Sequence, residues 1–319
     1  MRLDGRRSPE RSRLIAAFAA IYLLWGSTYL AVALGLESLP PFLLMGVRSV
    51  AGGAILLDFA WWRGHLAGAR AAWRGAAAAG VLLFAGCHGT LAYTQQYVPS
   101  GLAAVVLATI PFWIVLLTFV WRSGRRRGAA TLVGLAPGIG GVALIAWRGA
   151  APDGSPVDPV MVALLAGSAL SWAAGSVVSQ RQVGYAPASV VSGIELVCGG
   201  AVLLAASAAS RELAGFSPAA VSAVSWGAML YLTLAGSVVA FSAYVWLLDH
   251  AAAPLVATYT FVNPLIAVGL GWLVLGERLG PPMLAATALV IVSVVAVWRL
   301  ERRSAADGEP VRTSGASRA

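Results

Sequence analysis

Apolar runs of about twenty residues recur along this chain from Leu14 to Trp298, separated by short polar or proline-containing segments. At 1.5 Å per residue, a helix of that length spans the ~30 Å hydrocarbon core of a bilayer. Every backbone N–H and C=O in lipid must find its partner within the protein, which leaves only helices and closed barrels, and barrel strands are about half as long. Composition agrees: 59% of the 319 residues are hydrophobic and 11% are charged, against about 25% charged in soluble domains. Mean hydropathy is +0.80. The chain reads as an all-α integral membrane protein. Its ten transmembrane helices lie at roughly 14–34, 40–61, 75–97, 100–121, 129–147, 158–180, 187–208, 224–248, 252–276 and 281–298, each close to spanning length.

Arginine placement sets the orientation, because basic residues are retained on the cytoplasmic side. All 22 basic residues are arginine. With the N-terminus inside, only Arg148, Arg211 and Arg278 face outward, and Arg48 lies within a span. Every other arginine falls on the inner side, so both termini are expected in the cytoplasm. The formal charge of +9 is thereby explained by topology, without a nucleic-acid partner. The opening "MRLDGRRSPERSR" resembles the first half of a signal peptide. No small-x-small cleavage site follows, so residues 1–13 read as a cytoplasmic basic tail before an uncleaved span. The small, polar residues of 300–319 read as a disordered cytoplasmic tail. Cys87 and Cys198 fall inside spans and read as packing residues; no CxxC or HExxH spacing points to a metal, and no cofactor is implied.

The chain repeats itself. "GVRSVAGG" (46–53) and "GIELVCGG" (193–200) match at both ends, and one slot holds Arg48 in the first and Glu195 in the second. "LAYTQQYVPSGLAAVVLATIPF" aligns with "SAYVWLLDHAAAPLVATYTFVNPL" across a two-residue gap, pairing Tyr93 with Tyr244 and Pro111 with Pro264. The repeats cover 14–148 and 158–299, joined by a periplasmic linker at 149–157. Five spans per repeat make the second copy enter from the opposite side, the inverted symmetry common in secondary transporters.

The stretches "WGSTYLAVALGLESLPPFLLMGVR", "PSGLAAVVLATIP", "SWAAGSVVSQR", "GIELVCGG" and "YTFVNPLIAVGLGWLVLGERL" resemble the EamA family of the drug/metabolite transporter superfamily, in its YedA-like branch. The resemblance covers 14–298 and implies two inverted five-helix repeats around a central cavity. It also implies a bacterial inner-membrane location and export of small metabolites. One departure is the loop "WRSGRRRG" after the fourth span, where the family often has an acidic pair like Gly276 and Glu277.

Paired helix breakers mark transport sites. Pro111 and Pro264 each lack an N–H and free the carbonyl four residues back, at Leu107 and Thr260. Tyr259 and Asn263 make the surroundings of Pro264 the more polar. Helical spacing groups Trp25, Thr28 and Tyr29 on one face, and Ser168, Ser171, Trp172, Gly175 and Ser179 on another. His88 shares a face with Gln95, and Tyr244 with Ser237 and Phe241. The candidate substrate site is Trp25, Thr28, His88, Gln95, Ser171, Trp172, Tyr244, Tyr259 and Asn263. Such stripes also serve simply to join helices.

Arg48 and Glu195 each sit about 12 Å into a helix, counted from opposite faces, so both reach mid-depth. Charges there cost at least about 2.5–3.5 kcal/mol each. Three readings stand: they pair, they occupy separate structural pockets, or one of them, Glu195 before Arg48, handles a proton during transport.

These features describe a secondary transporter for a small metabolite or amino-acid-like solute, working by alternating access as a monomer or homodimer in the lipid bilayer, with proton coupling open. There is no GxxxxGK[ST] motif for ATP. A membrane-embedded enzyme acting on lipid or peptide is the alternative, but it needs a clustered catalytic set. The topology makes a direct prediction: reporter fusions at Gly154 and Gly215 read periplasmic and one at Gly124 reads cytoplasmic. A swapped pattern refutes the orientation.

Overall fold

A computed structural model of the protein describes residues 7–121, 129–148, 156–182, 184–251, 256 and 258–307. Prolines set many helix starts, where a missing N–H costs nothing because those first N–H groups have no intrahelical partner. The first helix, α1, is Arg7–Leu36. Pro40 and Pro41 open α2, Pro41–Trp62. Next, α3 joins Ala69–Gly80, a π-helical stretch Val81–Gly89 and Thr90–Thr94. Pro99 precedes α4, Ser100–Leu107. After a turn come α5, Ile110–Trp121, and α6, Ala129–Arg148. Asp158 accepts from Val160 N at 2.8 Å to cap α7, Pro159–Gln180. Pro187 precedes α8, Ala188–Ala209. Then α9 joins Ala223–Tyr231, a π-helical stretch Leu232–Ala240 and Phe241–His250. The last two are α10, Tyr259–Leu275, and α11, Pro281–Asp307.

Among the described residues, six helices are long and apolar enough to cross a membrane: α1, α2, α3, α7, α8 and α9. Shorter apolar stretches lie at Ser100–Ile114, Val262–Leu275 and Pro281–Ser293. Several expected boundaries move. The span expected at 100–121 is two helices, because the chain turns at Ala108 and Thr109 ahead of Pro111. The span expected from 252 is described as α10 only from Tyr259, since residues 252–255 and 257 lie outside the described set. Helix α11 runs past 298 to Asp307, into the tail expected to be disordered. Its extension "LERRSAAD" is rich in helix formers and meets no breaker before Gly308 and Pro310. The loop "RSGRRRG" and most of the linker at 149–157 are outside the described residues.

Between α2 and α8 lies the most extensive helix–helix contact in the molecule. Lipid supplies no hydrophobic drive between helices, so close approach depends on small residues. The contacts are reciprocal. A Cβ on Gly46 would sit 2.7 Å from Leu204 Cδ2, and one on Gly193 would sit 2.7 Å from Leu57 Cγ. Gly53 faces the Gly193 carbonyl and Val197, while Gly200 faces Ser49 and Val50. The neighbouring glycines extend the pattern outward: Gly52 abuts Ser237 on α9, and Gly199 abuts the Gly80 carbonyl and Phe84 on α3.

The α2 N-terminus lies beside the end of α3, where Phe42 stacks on Tyr93 with centroids 6.2 Å apart. At this end two carboxylates cap helices distant in sequence. Glu212 accepts from Phe42 N and Leu43 N at 3.1 and 3.0 Å, and Glu277 accepts from Ser100 N and Gly101 N at 2.7 and 3.1 Å. At the opposite end Gly68 lies against the Tyr185 carbonyl, and its φ of +79° requires a residue without Cβ strain. Exposed Trp62 and Trp147 lie beside the arginines that end their helices, with the Arg148 guanidinium 4.8 Å from the Trp147 ring. Aromatic rings paired with arginine suit the interface between hydrocarbon and water.

Gly199→Ala would drive a Cβ to 2.2 Å from the Gly80 carbonyl oxygen. Backbone there cannot step aside, so the variant should lose about 2–3 kcal/mol of stability. Gly227→Ala, with nothing within 4 Å of the added Cβ, should change it by less than about 0.5 kcal/mol. Unfolding midpoints in detergent compare the two; equal midpoints refute the packing account.

Candidate functional site

The turn between α4 and α5 opens the site. Thr109 N bonds to Val106 O at 3.1 Å, and the Thr109 hydroxyl donates to the same carbonyl at 2.7 Å, holding a tight non-α turn. Pro111 is then the second residue of α5, where its missing N–H is harmless. On the other side of the site, Pro264 lies inside α10 rather than at a break. The Asn263 amide nitrogen, oriented by its hydrogen bonds, lies 3.2 Å from the carbonyls of Tyr259 and Tyr22. The Tyr22 hydroxyl in turn meets Thr258 Oγ1 at 2.5 Å, tying α10 to α1.

Between these segments the aromatic side chains converge. Trp25 sits at the centre, with ring centroids 5.0 Å from Tyr244, 5.2 Å from Tyr259 and 5.6 Å from Trp172. These are tilted and edge-to-face contacts of the kind aromatic pairs prefer. The Trp25 indole N–H donates to the Gly236 carbonyl at 3.3 Å, within the π-helical stretch of α9. Ser171 donates to the Leu82 carbonyl at 2.8 Å, within the π-helical stretch of α3. A π stretch breaks the regular ladder, and here a side chain from α1 or α7 takes up an exposed carbonyl each time.

A cavity of about 50 Å³ adjoins this cluster, space for a few waters. Its wall comprises Trp25, Thr28 and Tyr29 from α1, Arg48 from α2, and His88 and Leu91 from α3. Leu107 and Ile110 flank the α4–α5 turn, and Trp172, Tyr259 and Asn263 complete the wall. A larger cavity of about 430 Å³ lies between α5, α6, α7 and α11, against Phe112, Trp113, Ile139 and Val162. It is almost wholly apolar and holds none of the candidate residues. Size favours that cavity, but polar groups converge only in the smaller one, which is therefore the candidate site.

Arg48 is 4% exposed and its Nη2 lies 2.7 Å from His88 Nδ1. Guanidinium nitrogens can only donate, so Nδ1 accepts and the imidazole carries its proton on Nε2. Glu195 is 0% exposed; the Ser179 hydroxyl of α7 lies beside its carboxyl, and among the described residues it has no hydrogen bond of ordinary geometry. Its backbone lies against Gly80 of α3, and it is not part of the cavity wall. The two charges that share a slot in sequence are therefore not joined: Arg48 turns to His88 and the cavity, and Glu195 does not.

Eight of the residues singled out in sequence meet at the cavity: Trp25, Thr28, Tyr29, Arg48, His88, Trp172, Tyr259 and Asn263. Three others join helices. Gln95 donates to the Tyr29 carbonyl at 3.1 Å, Ser171 to Leu82, and Tyr244 to Ser176 Oγ at 3.2 Å while backing the cluster. Leu91, Leu107 and Ile110 were missed. Leu107 had one sequence signal, since its carbonyl is the one Pro111 frees. Cys87 and Cys198 are free thiols.

Apolar membrane-spanning helices packed around a small polar cavity define a multi-pass membrane transporter. The chain belongs to the EamA-like transporter family, whose model matches residues 13–147 and again 160–299. It is a non-enzymatic transporter of the drug/metabolite transporter superfamily that acts on a small-molecule substrate in a lipid bilayer. It is 35% identical over 286 residues to the uncharacterized inner membrane transporter YedA of Escherichia coli strain K12, covering 89% of this chain and 90% of that one. It is 27% identical over 292 residues to the uncharacterized transporter YvbV of Bacillus subtilis strain 168, covering 90% and 91%. A crystal structure with 23% identity superposes at a TM-score of 0.65 over 92% of this chain and 99% of the other, which supports the fold.

Unjoined charges predict independent energetics. Arg48→Gln and Glu195→Gln should combine additively in stability, with a coupling below about 0.5 kcal/mol, as expected of separated sites. A double-mutant cycle on unfolding midpoints measures this, and a coupling of several kcal/mol means the charges pair.

Proposed function

We propose that this protein is a secondary transporter of the bacterial inner membrane, with ten spans in two inverted repeats and both termini cytoplasmic. It exports a small metabolite by alternating access around the central cavity, as a monomer or homodimer. The observation that carries the reading is the composition of the cavity wall. Trp25, Arg48 and His88 come from the first half of the chain, and Trp172, Tyr259 and Asn263 from the second, so motion of one half against the other changes access to the site.

Further observations support the repeat. The glycine contacts between α2 and α8 are reciprocal in the register that aligns Arg48 with Glu195. In that register Trp25 corresponds to Trp172, and the two rings touch. The π-helical stretches Val81–Gly89 and Leu232–Ala240 each begin twelve residues before the aligned tyrosines, Tyr93 and Tyr244. A two-fold relation between halves accounts for all of these together. In this reading 14–148 and 158–299 are the repeats.

Glu195 is the proposed proton carrier. Burying a carboxylate without a charged partner costs several kcal/mol, and a bound proton removes that cost. A conformation that hydrates the Glu195 region would release the proton, which couples the cycle to a proton gradient.

Metabolite profiles of the medium from cells with and without the protein test the reading, with excretion of at least one small solute rising on expression. Asn263→Ala and Trp172→Ala should cut that excretion about tenfold while the protein inserts and stays monodisperse. Glu195→Gln should remove its pH dependence. Identical media with and without the protein would count against export, and full activity in Asn263→Ala would remove α10 from the site.

A further inference from the structure

Arg48 is a cation at mid-depth, 4% exposed, whose one hydrogen-bond partner among the described residues is the neutral nitrogen of His88. A charge in this position needs a counter-charge, because an uncompensated buried ion is strongly destabilising. The obvious one, Glu195, is buried beside Ser179 and does not reach it. Among the described residues, no acidic side chain lines the cavity. One donor of the wall is unmet: Arg48 Nε is buried without an acceptor, whereas the Trp172 indole N–H faces the Tyr244 and Tyr259 hydroxyls. A wall that offers donors and a positive charge, but no anion, is completed by a ligand that brings acceptors and a negative charge.

The remaining surface of the cavity fixes the rest of the ligand. Trp25 and Tyr259 present ring surface, and Leu107 and Ile110 close the side at the α4–α5 turn. Taken alone, such aromatic walls also suit a cation. The guanidinium among them excludes that choice by direct repulsion. A guanidinium instead takes a carboxylate through two parallel, charge-assisted hydrogen bonds. At about 50 Å³ the cavity admits only waters, so a solute enters with some widening of the aromatic cluster.

Resting on the transporter reading above, we propose that the substrate is a small organic carboxylate bearing a flat apolar group, with its carboxylate on Arg48 and its apolar part against Trp25 and Tyr259. Arg48 is then a specificity residue of the site rather than a structural charge.

Three compounds of nearly equal size separate the possibilities: phenylacetate, phenylacetamide and phenethylammonium, titrated calorimetrically into the purified full-length protein in detergent. Phenylacetate should bind at least tenfold tighter than the amide, and the ammonium should bind weakest. Arg48→Gln should reduce the ratio of carboxylate to amide affinity to about one, and Arg48→Lys should restore part of it. Circular dichroism and size exclusion confirm that each variant is folded. Failure of phenylacetate to bind the wild type, equal binding of the amide, or a preference that survives in Arg48→Gln overturns the assignment. Counterflow of radiolabelled phenylacetate in proteoliposomes separates the two levels. A calorimetric preference without counterflow faults the transport reading and leaves the anion site standing. Export of neutral or cationic solutes without any carboxylate preference does the reverse.

Discussion

The molecule is organised by the close crossing of α2 and α8. In hydrocarbon there is no gain from hiding leucines from water, so two helices stay together by touching over a large, smooth area. Gly46, Gly53, Gly193 and Gly200 supply that area, each standing where a Cβ would meet the facing helix within 3 Å. Once these backbones are in contact, Gly52 and Gly199 bring α9 and α3 to the flanks. The positions of Arg48 and Glu195 are consequences, since each lies between glycines whose faces are already committed.

This arrangement explains how one slot can hold opposite charges without a salt bridge. Side chains a few residues from a tight crossing point away from it, towards different neighbouring helices. For Arg48 that neighbour is α3 with His88, next to the cavity. For Glu195 the backbone lies against Gly80 of α3, and the carboxyl has the Ser179 hydroxyl of α7 beside it. Two ionisable groups at similar depth are thereby held apart, one facing the site and one enclosed. Electrostatic independence of this kind lets the two groups do different jobs.

Much of this was legible in the sequence, because bilayer physics is strict about length. The run lengths announce helices, Pro40, Pro99, Pro159, Pro187 and Pro281 stand at starts, and Pro111 announces the break that follows Leu107. Trp25 and Trp172 were legible as candidate site residues on the polar faces of their helices. The partner of Arg48 was not, because the choice between His88 and Glu195 depends on how far α2 is rotated about its own axis. Gln95 and Ser171 lie on the same faces as cavity residues, yet each finds a backbone carbonyl on a neighbouring helix first. Helical spacing specifies a face, and only tertiary packing decides whether that face meets space or backbone. The π-helical stretches left no trace in hydropathy at all.

The carboxylates of Glu212 and Glu277 both belong to the second half of the chain, and both grip N-termini in the first half. Each joins a negative charge to the positive end of a helix, an interaction of about 0.3–1 kcal/mol at exposed sites and up to about 2 kcal/mol where partly buried. They stand at the same end, so the two halves cannot part there without releasing both. In the proposed alternating-access cycle, one rim between the halves is clasped by residues that do not line the cavity. A clasp of a few kcal/mol changes an equilibrium between two shapes by a factor of tens to hundreds. In that proposed cycle, two half-buried glutamates outside the cavity would set the resting posture of the molecule.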